Sequence, residues 1–481
     1  MSDFAYFRLE EELCLAMRGG TSDNYESAIK FLDDSDDHKQ AKKLLLSFHD
    51  RLSHDQSVNI FLALGQKLPN LQSFTFMGDS HSAFSIRALG ALLTLRAEGL
   101  VSIKCFGGHT LLTGTLEDFN CTFDLLSRCT KLREVLFHAR FVNLDGNAFL
   151  DNAKIVDEEE QWFSDNLVRA LSQIETLETL SLHLWSAPKS TKRSAFAKLL
   201  GSRTSQKRLS SLTIEGGVST WKLSLPFLQT LFSRNSRLEK VTMFDFEKVN
   251  LSARSIAKAL QGNRTVKDFS LITSQQDSWK RFTVGSLARI LEALKDDTTL
   301  ECLALSMKWE PWLAARHAPL LISAIEEAKN LKKLELCLTV LEEPDQLGAI
   351  LQGAARSKSL AEVVLRVEDS WHGITVVGNL RKAATDYEME MFENTMETNL
   401  ALKKVVVLSE NGEEVPHSSY LSKKAASYLK RNEEKGHKGF HDTKTFGTNA
   451  YSLLRTMVAS TFHEADSSGS SSHQKKRKLC E

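Results

Sequence analysis

The stretch Arg234–Phe246, RNSRLEKVTMFDF, sets Leu238, Val241 and Met243 in an LxxLxL rhythm with Asn235 just ahead of it. In that frame the fourth and sixth residues point to one side of a strand, and the third, fifth and seventh to the other. The same frame begins at Leu71, Leu100, Leu132, Leu177, Leu209, Leu238, Val266, Leu300, Leu331, Leu360 and Leu402, which is eleven copies. Successive starts lie 29, 32, 45, 32, 29, 28, 34, 31, 29 and 42 residues apart. The short spacings are those of a solenoid repeat, and the two longest are repeats that carry insertions.

Each copy has a second half. In RSIAKALQGNRTVKDFSL, Ile256, Ala259 and Leu260 precede Val266 by ten, seven and six positions. The same offsets return as Leu228, Leu231 and Phe232, as Leu321, Ala324 and Ile325, and as Leu167, Ala170 and Leu171. Spacings of three and four mark one face of a helix. Pro226, Pro319 and Pro344 stand at helix starts, where a missing N–H costs nothing and φ is already helical. The unit is therefore helix, short turn, strand. Neither part is stable alone in water, so neighbouring units must stack to cover one another's apolar faces. Asn70, Asn235, Asn263, Asn330 and Asn399 precede strands, where each is expected to close the helix before it in a left-handed cap.

These units resemble leucine-rich repeats of the ribonuclease-inhibitor type over about residues 56–410. The resemblance implies an α/β solenoid, a horseshoe with a parallel sheet inside and helices outside. The family's frame often continues to an Asn or Cys three residues after the last apolar position. Here Asp79, Gly108, Phe246, Ser274 and Glu368 stand in that place.

The ends differ from the middle. Residues 1–55 are expected to form an N-terminal helical cap, with Phe4, Phe7, Leu13 and Leu15, then Ile29, Phe31, Leu44, Leu45 and Phe48, covering the first repeat. Residues 411–463 are expected to form a C-terminal helical cap from SSYLSKKAASYLKRNEEKG and NAYSLLRTMVAS. Residues 464–481 are Ser-rich and poor in apolar groups, so they are expected to be a disordered basic tail. Its Lys475, Lys476, Arg477 and Lys478 fit a nuclear import signal read by an importin; the alternative is a solubilising tail. The 45-residue unit holds LDNAKIVDEEEQWFSDNL, read as an acidic loop leading into a helix.

Composition narrows the function. Of 481 residues, 42% are hydrophobic and 25% charged, as in an ordinary globular chain. No run of about 18 apolar residues occurs, and the acidic start does not resemble a signal peptide, so a cytoplasmic or nuclear protein without a membrane role is expected. Seven cysteines without CxxC spacing fit reduced core thiols better than a zinc site or disulfides. The sequons at Asn120, Asn250 and Asn263 are then not glycan sites. Lys+Arg and Asp+Glu are 61 each, so no global field draws nucleic acid.

The strand positions facing away from the helices carry the candidate site. Fifth positions include Thr75, Ser181, Thr213, Thr242 and Ser270, a short polar lining that sheet preference also explains. Seventh positions include Met77, Phe106, His138, His183, Phe244, Ile272 and Arg366, a strip suited to a protein partner unless the following turns bury it. His138 and His183 fall on neighbouring repeats, but two histidines without a matching third ligand seldom hold zinc. Lys104, Lys240, Lys333, Arg366 and Lys404 are balanced by Glu134, Glu215, Asp268, Glu335 and Glu362, a poor surface for phosphates and a fair one for a mixed-charge protein. No motif of a catalytic triad, phosphate loop or metalloprotease is present, so neither catalysis nor a cofactor is expected. The expectation is a monomeric, non-enzymatic interaction scaffold that binds a macromolecular partner through the horseshoe. The other readings are a small-GTPase regulator similar to the Ran GTPase-activating protein and a ubiquitin-ligase substrate-recognition subunit.

Overall fold

A computed structural model of the chain describes residues 4–9, 11–17, 22–34, 37–48, 53–78, 83–106, 111–138, 140–143, 153–184, 199–200, 208–216, 225–232, 237–244, 253–272, 284–306, 318–339, 345–368, 386–408, 414, 421 and 423–436. Strand β1 (Phe4–Leu9) turns back antiparallel on β2 (Glu12–Met17). From β2 the sheet continues in chain order and wholly parallel through β3 (Lys43–Phe48) and β4 (Ser73–Gly78). It then takes in β6 (Ser102–Phe106), β8 (Glu134–Phe137), β10 (Thr179–Leu184), β11 (Ser211–Gly216) and β12 (Lys240–Phe244). It ends with β13 (Asp268–Ile272), β14 (Cys302–Ser306), β15 (Lys333–Thr339), β16 (Glu362–Glu368) and β17 (Lys404–Leu408), fourteen strands in all.

Consecutive parallel strands require a crossover between them, and helices supply it at every step except β10 to β11, whose connection lies mostly outside the described residues. The described helices are α1 (Ser22–Asp34), α2 (His54–Lys67), α3 (Ile86–Arg96), α4 (Leu116–Ser127), α5 (Ala153–Leu171) and α6 (Leu225–Leu231). They continue as α7 (Ala253–Leu260), α8 (Val284–Glu292), α9 (Ala318–Glu327), α10 (Asp345–Arg356), α11 (Asp386–Thr398) and α12 (Lys423–Gly436). Each packs chiefly on its neighbours in sequence, α2 on α3, α3 on α4, α9 on α10. The architecture is a leucine-rich-repeat solenoid.

The frame explains the core. Fourth positions run across the sheet in register as Leu44, Phe74, Ile103, Val135, Leu180, Leu212, Val241, Phe269, Leu303, Leu334, Val363 and Val405, and all are buried. The helical residues at the shared offsets, such as Leu228, Leu231, Ile256, Leu260, Leu321 and Ile325, meet them from the other side. The N-terminal repeats fill this space with rings. Phe61 of α2 lies 5.3 Å from Phe74, and Phe76 stacks on Phe84 at 4.6 Å.

Two expectations are corrected. The N-terminal 55 residues are not a helical cap alone, because Leu13 and Leu15 lie on β2 and Leu44, Leu45 and Phe48 on β3, which extend the parallel ladder. Only Ile29 and Phe31 of the named groups fall on a helix, α1. The frame is masked in the sequence there because its first position is Glu10 or Ala41 rather than Leu, and Ala41 is buried all the same. The antiparallel hairpin β1–β2, which exposes Tyr6, is what ends the sheet. The acidic run near residue 158 is not a loop either, since α5 starts at Ala153 and carries it.

The asparagines ahead of the strands add side-chain bonds of two kinds. Asn263 and Asn399, three positions before the strand frame, act through their side chains. Asn263 Oδ1 accepts from the N–H groups of Thr265 and Val266 at 3.3 and 3.0 Å, and Nδ2 donates to Val266 O at 2.8 Å. Asn70 and Asn330, one position before the frame, instead donate to carbonyls of the preceding repeat, Lys39 O at 3.1 Å and Leu300 O at 3.3 Å. Two geometries thus share one residue type. In addition, β5 (Ala83–Ser85), β7 (Leu111–Gly114) and β9 (Arg140–Asn143) form a second, three-stranded parallel sheet behind the N-terminal repeats.

Helix α12 packs on α11 with Ala425 and Leu429 buried. The second expected helix, near residue 449, and the run Lys475, Lys476, Arg477 and Lys478 lie outside the described residues. Among the described residues no helix is long and apolar enough to cross a membrane.

Candidate interaction surface

The helices cover one face of the large sheet, which leaves three rows of side chains on the other. The third-position row is Ser73, Ser102, Glu134, Thr179, Ser211, Lys240, Asp268, Cys302, Lys333, Glu362 and Lys404. The seventh-position row pairs Met77 with Phe106, His183 with Glu215, Phe244 with Ile272, and Arg366 with Leu408. A strand advances every second residue on one face, so the sheet brings the seven expected partner residues into a single line. Met77, Phe106, His138, His183, Ile272 and Arg366 are all half-buried. Phe244 has its place in the register, and its side chain lies outside the described set.

The charges of this face are largely matched with one another. Lys104 Nζ lies 2.8 Å from Glu134 Oε2, which also accepts from Ser102 Oγ at 2.8 Å. Lys240 meets Asp268 at 3.1 Å. Lys333 lies 3.7 Å from Glu362 and 3.9 Å from Glu335, and Arg366 Nε donates to Glu335 Oε1 at 2.7 Å. Ladder neighbours of opposite sign meet because the register puts them on adjacent strands about 5 Å apart. Half-exposed pairs of this kind contribute little to stability, and they leave no broad field of one sign.

The histidines are neighbours as expected. Phe137 is in register with Leu182, so His138 is level with His183. His138 Nε2 shares a hydrogen bond of 2.7 Å with the buried Ser181 hydroxyl of the fifth-position row, so its ring leans across onto β10. Among the described residues no group of three or more His, Cys, Asp or Glu stands close enough to hold a metal. Thr75, Thr213, Thr242 and Ser270 form the half-buried polar lining. The row changes character at its C-terminal end, where Val364 and Val406 are buried.

The thiols of Cys105, Cys129 and Cys302 are poor nucleophiles. Burial is the main cause that pushes Cys302, on the third-position row, up to about 11, with Asp268 adding to it. Burial likewise holds Cys129 at about 12, and Cys105 is raised by the same cause. Thiolate is the reactive form, so these groups stay inert near neutrality.

What sequence reasoning missed is the internal pairing of the charges. The signal was present as opposite signs at third and fifth positions of successive frames, such as Lys104 with Glu134 and Lys333 with Glu362.

No family model matches the chain, and no curated protein matches it. Among solved structures the chain is similar to the leucine-rich repeat-containing protein LegL7 from Legionella pneumophila, at 16% identity over 73% of this chain and 98% of that one, with a TM-score of 0.40. It is also similar to a chain of the Rad7 and Elc1 complex in yeast, at 12% identity over 77% of this chain and 79% of that one, with a TM-score of 0.33. The fold assignment rests on strand register and helix crossovers, not on these likenesses.

Proposed function

We propose that the chain is a non-enzymatic interaction scaffold, which presents the helix-free face of its sheet to one protein partner. The observation that carries this reading is the seventh-position row, where Met77, Phe106, His138, His183 and Ile272 stand half-accessible in one line on a rigid ladder. Apolar and aromatic groups on a preorganised surface supply contact area at low entropic cost. The matched charges add selectivity at the rim of such a contact rather than attraction for polyanions. In this reading the repeats are of the ribonuclease-inhibitor type and curve around the partner, and the protein acts as a monomer. No observation favours the small-GTPase regulator or the ubiquitin-ligase subunit over it.

A photoreactive amino acid at Phe106 or Ile272 tests the reading, with Lys258 on the exposed face of α7 as control. Cross-links to one protein from the first two sites and none from Lys258 are expected. Phe106→Ser with Ile272→Ser should weaken capture and lower the melting temperature only slightly. Capture of the same protein from Lys258 alone would overturn the assignment of the face. We further propose that Lys475, Lys476, Arg477 and Lys478 are read by an importin; deleting them should abolish nuclear accumulation of a fluorescent fusion, and an unchanged distribution refutes it.

A further inference from the structure

One cation on the helix-free face is held differently from the rest. Lys104, Lys240 and Lys333 each point a single ammonium at neighbouring carboxylates. Arg366 uses only Nε, which donates to Glu335 Oε1 at 2.7 Å, and its terminal Nη1 and Nη2 donate to nothing among the described residues. Glu335 is 8% exposed and is therefore a fixed partner, whereas the Arg366 side chain is 38% exposed. Buried Val364 and Val406 follow Glu335 in register and border the pair, which lowers the local dielectric and strengthens charge interactions there. The planar fork of Arg366 is thus oriented before any partner arrives, with two parallel donors left over.

A guanidinium in that state matches an oxyanion with two acceptor oxygens, and its rotamer entropy is already spent on Glu335. The strand positions around it are balanced in charge, Lys333, Arg366 and Lys404 against Glu335, Glu362 and Glu368, which favours a monoanionic carboxylate over a phosphate dianion. Lys404 is exposed and has no ion pair among the described residues. We propose that the C-terminal end of this face, through Arg366, receives a carboxylate side chain of the protein partner. The inference rests on the scaffold reading above and gives it a chemical polarity, since the apolar strip contacts one part of the partner and Arg366 its acidic end.

The probes are three fluorescein-labelled decapeptides read by anisotropy at low salt, identical in a Gly-Ser background except for one central residue, which is glutamate, phosphoserine or glutamine. The glutamate peptide should bind and the glutamine peptide should not; tighter binding of the phosphoserine peptide than of the glutamate peptide would overturn carboxylate as the occupant. Arg366→Gln should weaken binding by about tenfold. The double variant Glu335→Gln, Arg366→Gln removes the buried charge together with its partner, so it should melt like the parent and show the same loss. Asp268→Asn, which alters charge elsewhere on the face, should leave binding nearly unchanged. Equal binding of all three peptides, or binding unaffected by Arg366→Gln, overturns the proposal. The scaffold reading is tested separately by the cross-links from Ile272: if they form while Arg366→Gln leaves peptide binding unchanged, the interface stands and only the carboxylate site falls.

Discussion

The solenoid turns from helix to strand in two chemically different ways along its length. Three positions before the frame, the N-terminal repeats place Leu68, Ala97, Cys129 and Ile174, of which Leu68, Cys129 and Ile174 are buried and apolar in character. The C-terminal repeats place Asn263, Asp297, Ser357 and Asn399 at the same position, and Asn432 on α12 continues the series. Ala328 is the exception among them. At apolar turns the spine side chain binds none of the following amides, which close with backbone bonds such as Leu132 N to Cys129 O at 3.3 Å. Polar turns bind, with a side chain, the two amides that lie two and three residues further on, and then reach the adjacent repeat. Asn263 Nδ2 donates to Asp297 Oδ2 at 3.1 Å, and Asn432 Nδ2 donates to Asn399 O at 2.9 Å and Leu402 O at 2.8 Å. The difference teaches that one period can be kept either by filling space or by satisfying donors, and the two should fail differently. An apolar spine tolerates a smaller side chain at the cost of a cavity, whereas a polar spine loses several buried bonds at once.

The largest expected effect breaks the polar spine. Asp297 already accepts from Thr299 N at 2.6 Å and Leu300 N at 3.0 Å, so its remaining oxygen needs the donor that Asn263 supplies. Asn263→Asp would face one buried carboxylate with another and leave Asn263's bond to Val266 O without a donor. A loss of about 3–5 kcal/mol is expected in denaturant melts near neutral pH. Protonating one carboxylate restores a donor, so the deficit should shrink as pH falls into the carboxylate range. A deficit that stays constant with pH would mean the two side chains move apart.

The second test compares the arginines that serve each spine. Arg431 Nη2 donates to Met396 O at 2.9 Å and Asn399 O at 3.2 Å, and Nε to the spine residue Asn432 at 3.1 Å. Arg96 reaches the end of α2, with Nε at 2.6 Å from Gly65 O and Nη1 at 3.3 Å from Pro69 O, and touches no polar spine residue. Both cap helix carbonyls that would otherwise lack donors. Arg431→Ala should cost about 2 kcal/mol and Arg96→Ala about 1 kcal/mol, because only the former also unties a buried amide. Equal losses would show that the two spines are energetically alike.

Most of this architecture was legible, because burying an apolar face in every unit demands a period that survives in the sequence. Leu238, Val241 and Met243 lie where the frame puts them, and so do the helix faces at Leu228 and Ile256. Illegible parts were those where another residue does the same physical job. Ala41 fills the first position of the β3 unit as a buried methyl, and Cys129 and Asp297 occupy one structural position with no shared side-chain chemistry. The strip of candidate residues was legible for the same reason as the core, since alternation on a strand fixes both faces together. Pairing within it was not, because an ion pair depends on neighbouring frames rather than on any one of them. Arg366 as a donor fork required Glu335 to be seen buried behind it.

The smallest expected effect uses titration to separate the two spines. Cys129 is the spine residue of its turn, its thiol is buried, and burial raises it from 9.0 to about 12. A thiol whose folded value lies above its unfolded one is protonated in the folded chain when the unfolded chain has already lost its proton. Its contribution is therefore complete below pH 9 and is lost as pH rises from there toward 12. In an otherwise parental chain, Cys129→Ala should melt at a temperature slightly lower at pH 7, by the cavity of one sulfur. Above pH 9 its stability should fall less steeply than the parent's, so the two curves converge. Asn399, in the equivalent place, carries no group that titrates there, and Asn399→Ala should stay below the parent by the same amount across this range. Parallel curves for Cys129→Ala would mean that the thiol reaches water before the repeats unfold, and the apolar spine would then be looser than the buried side chains of Leu68 and Ile174 imply.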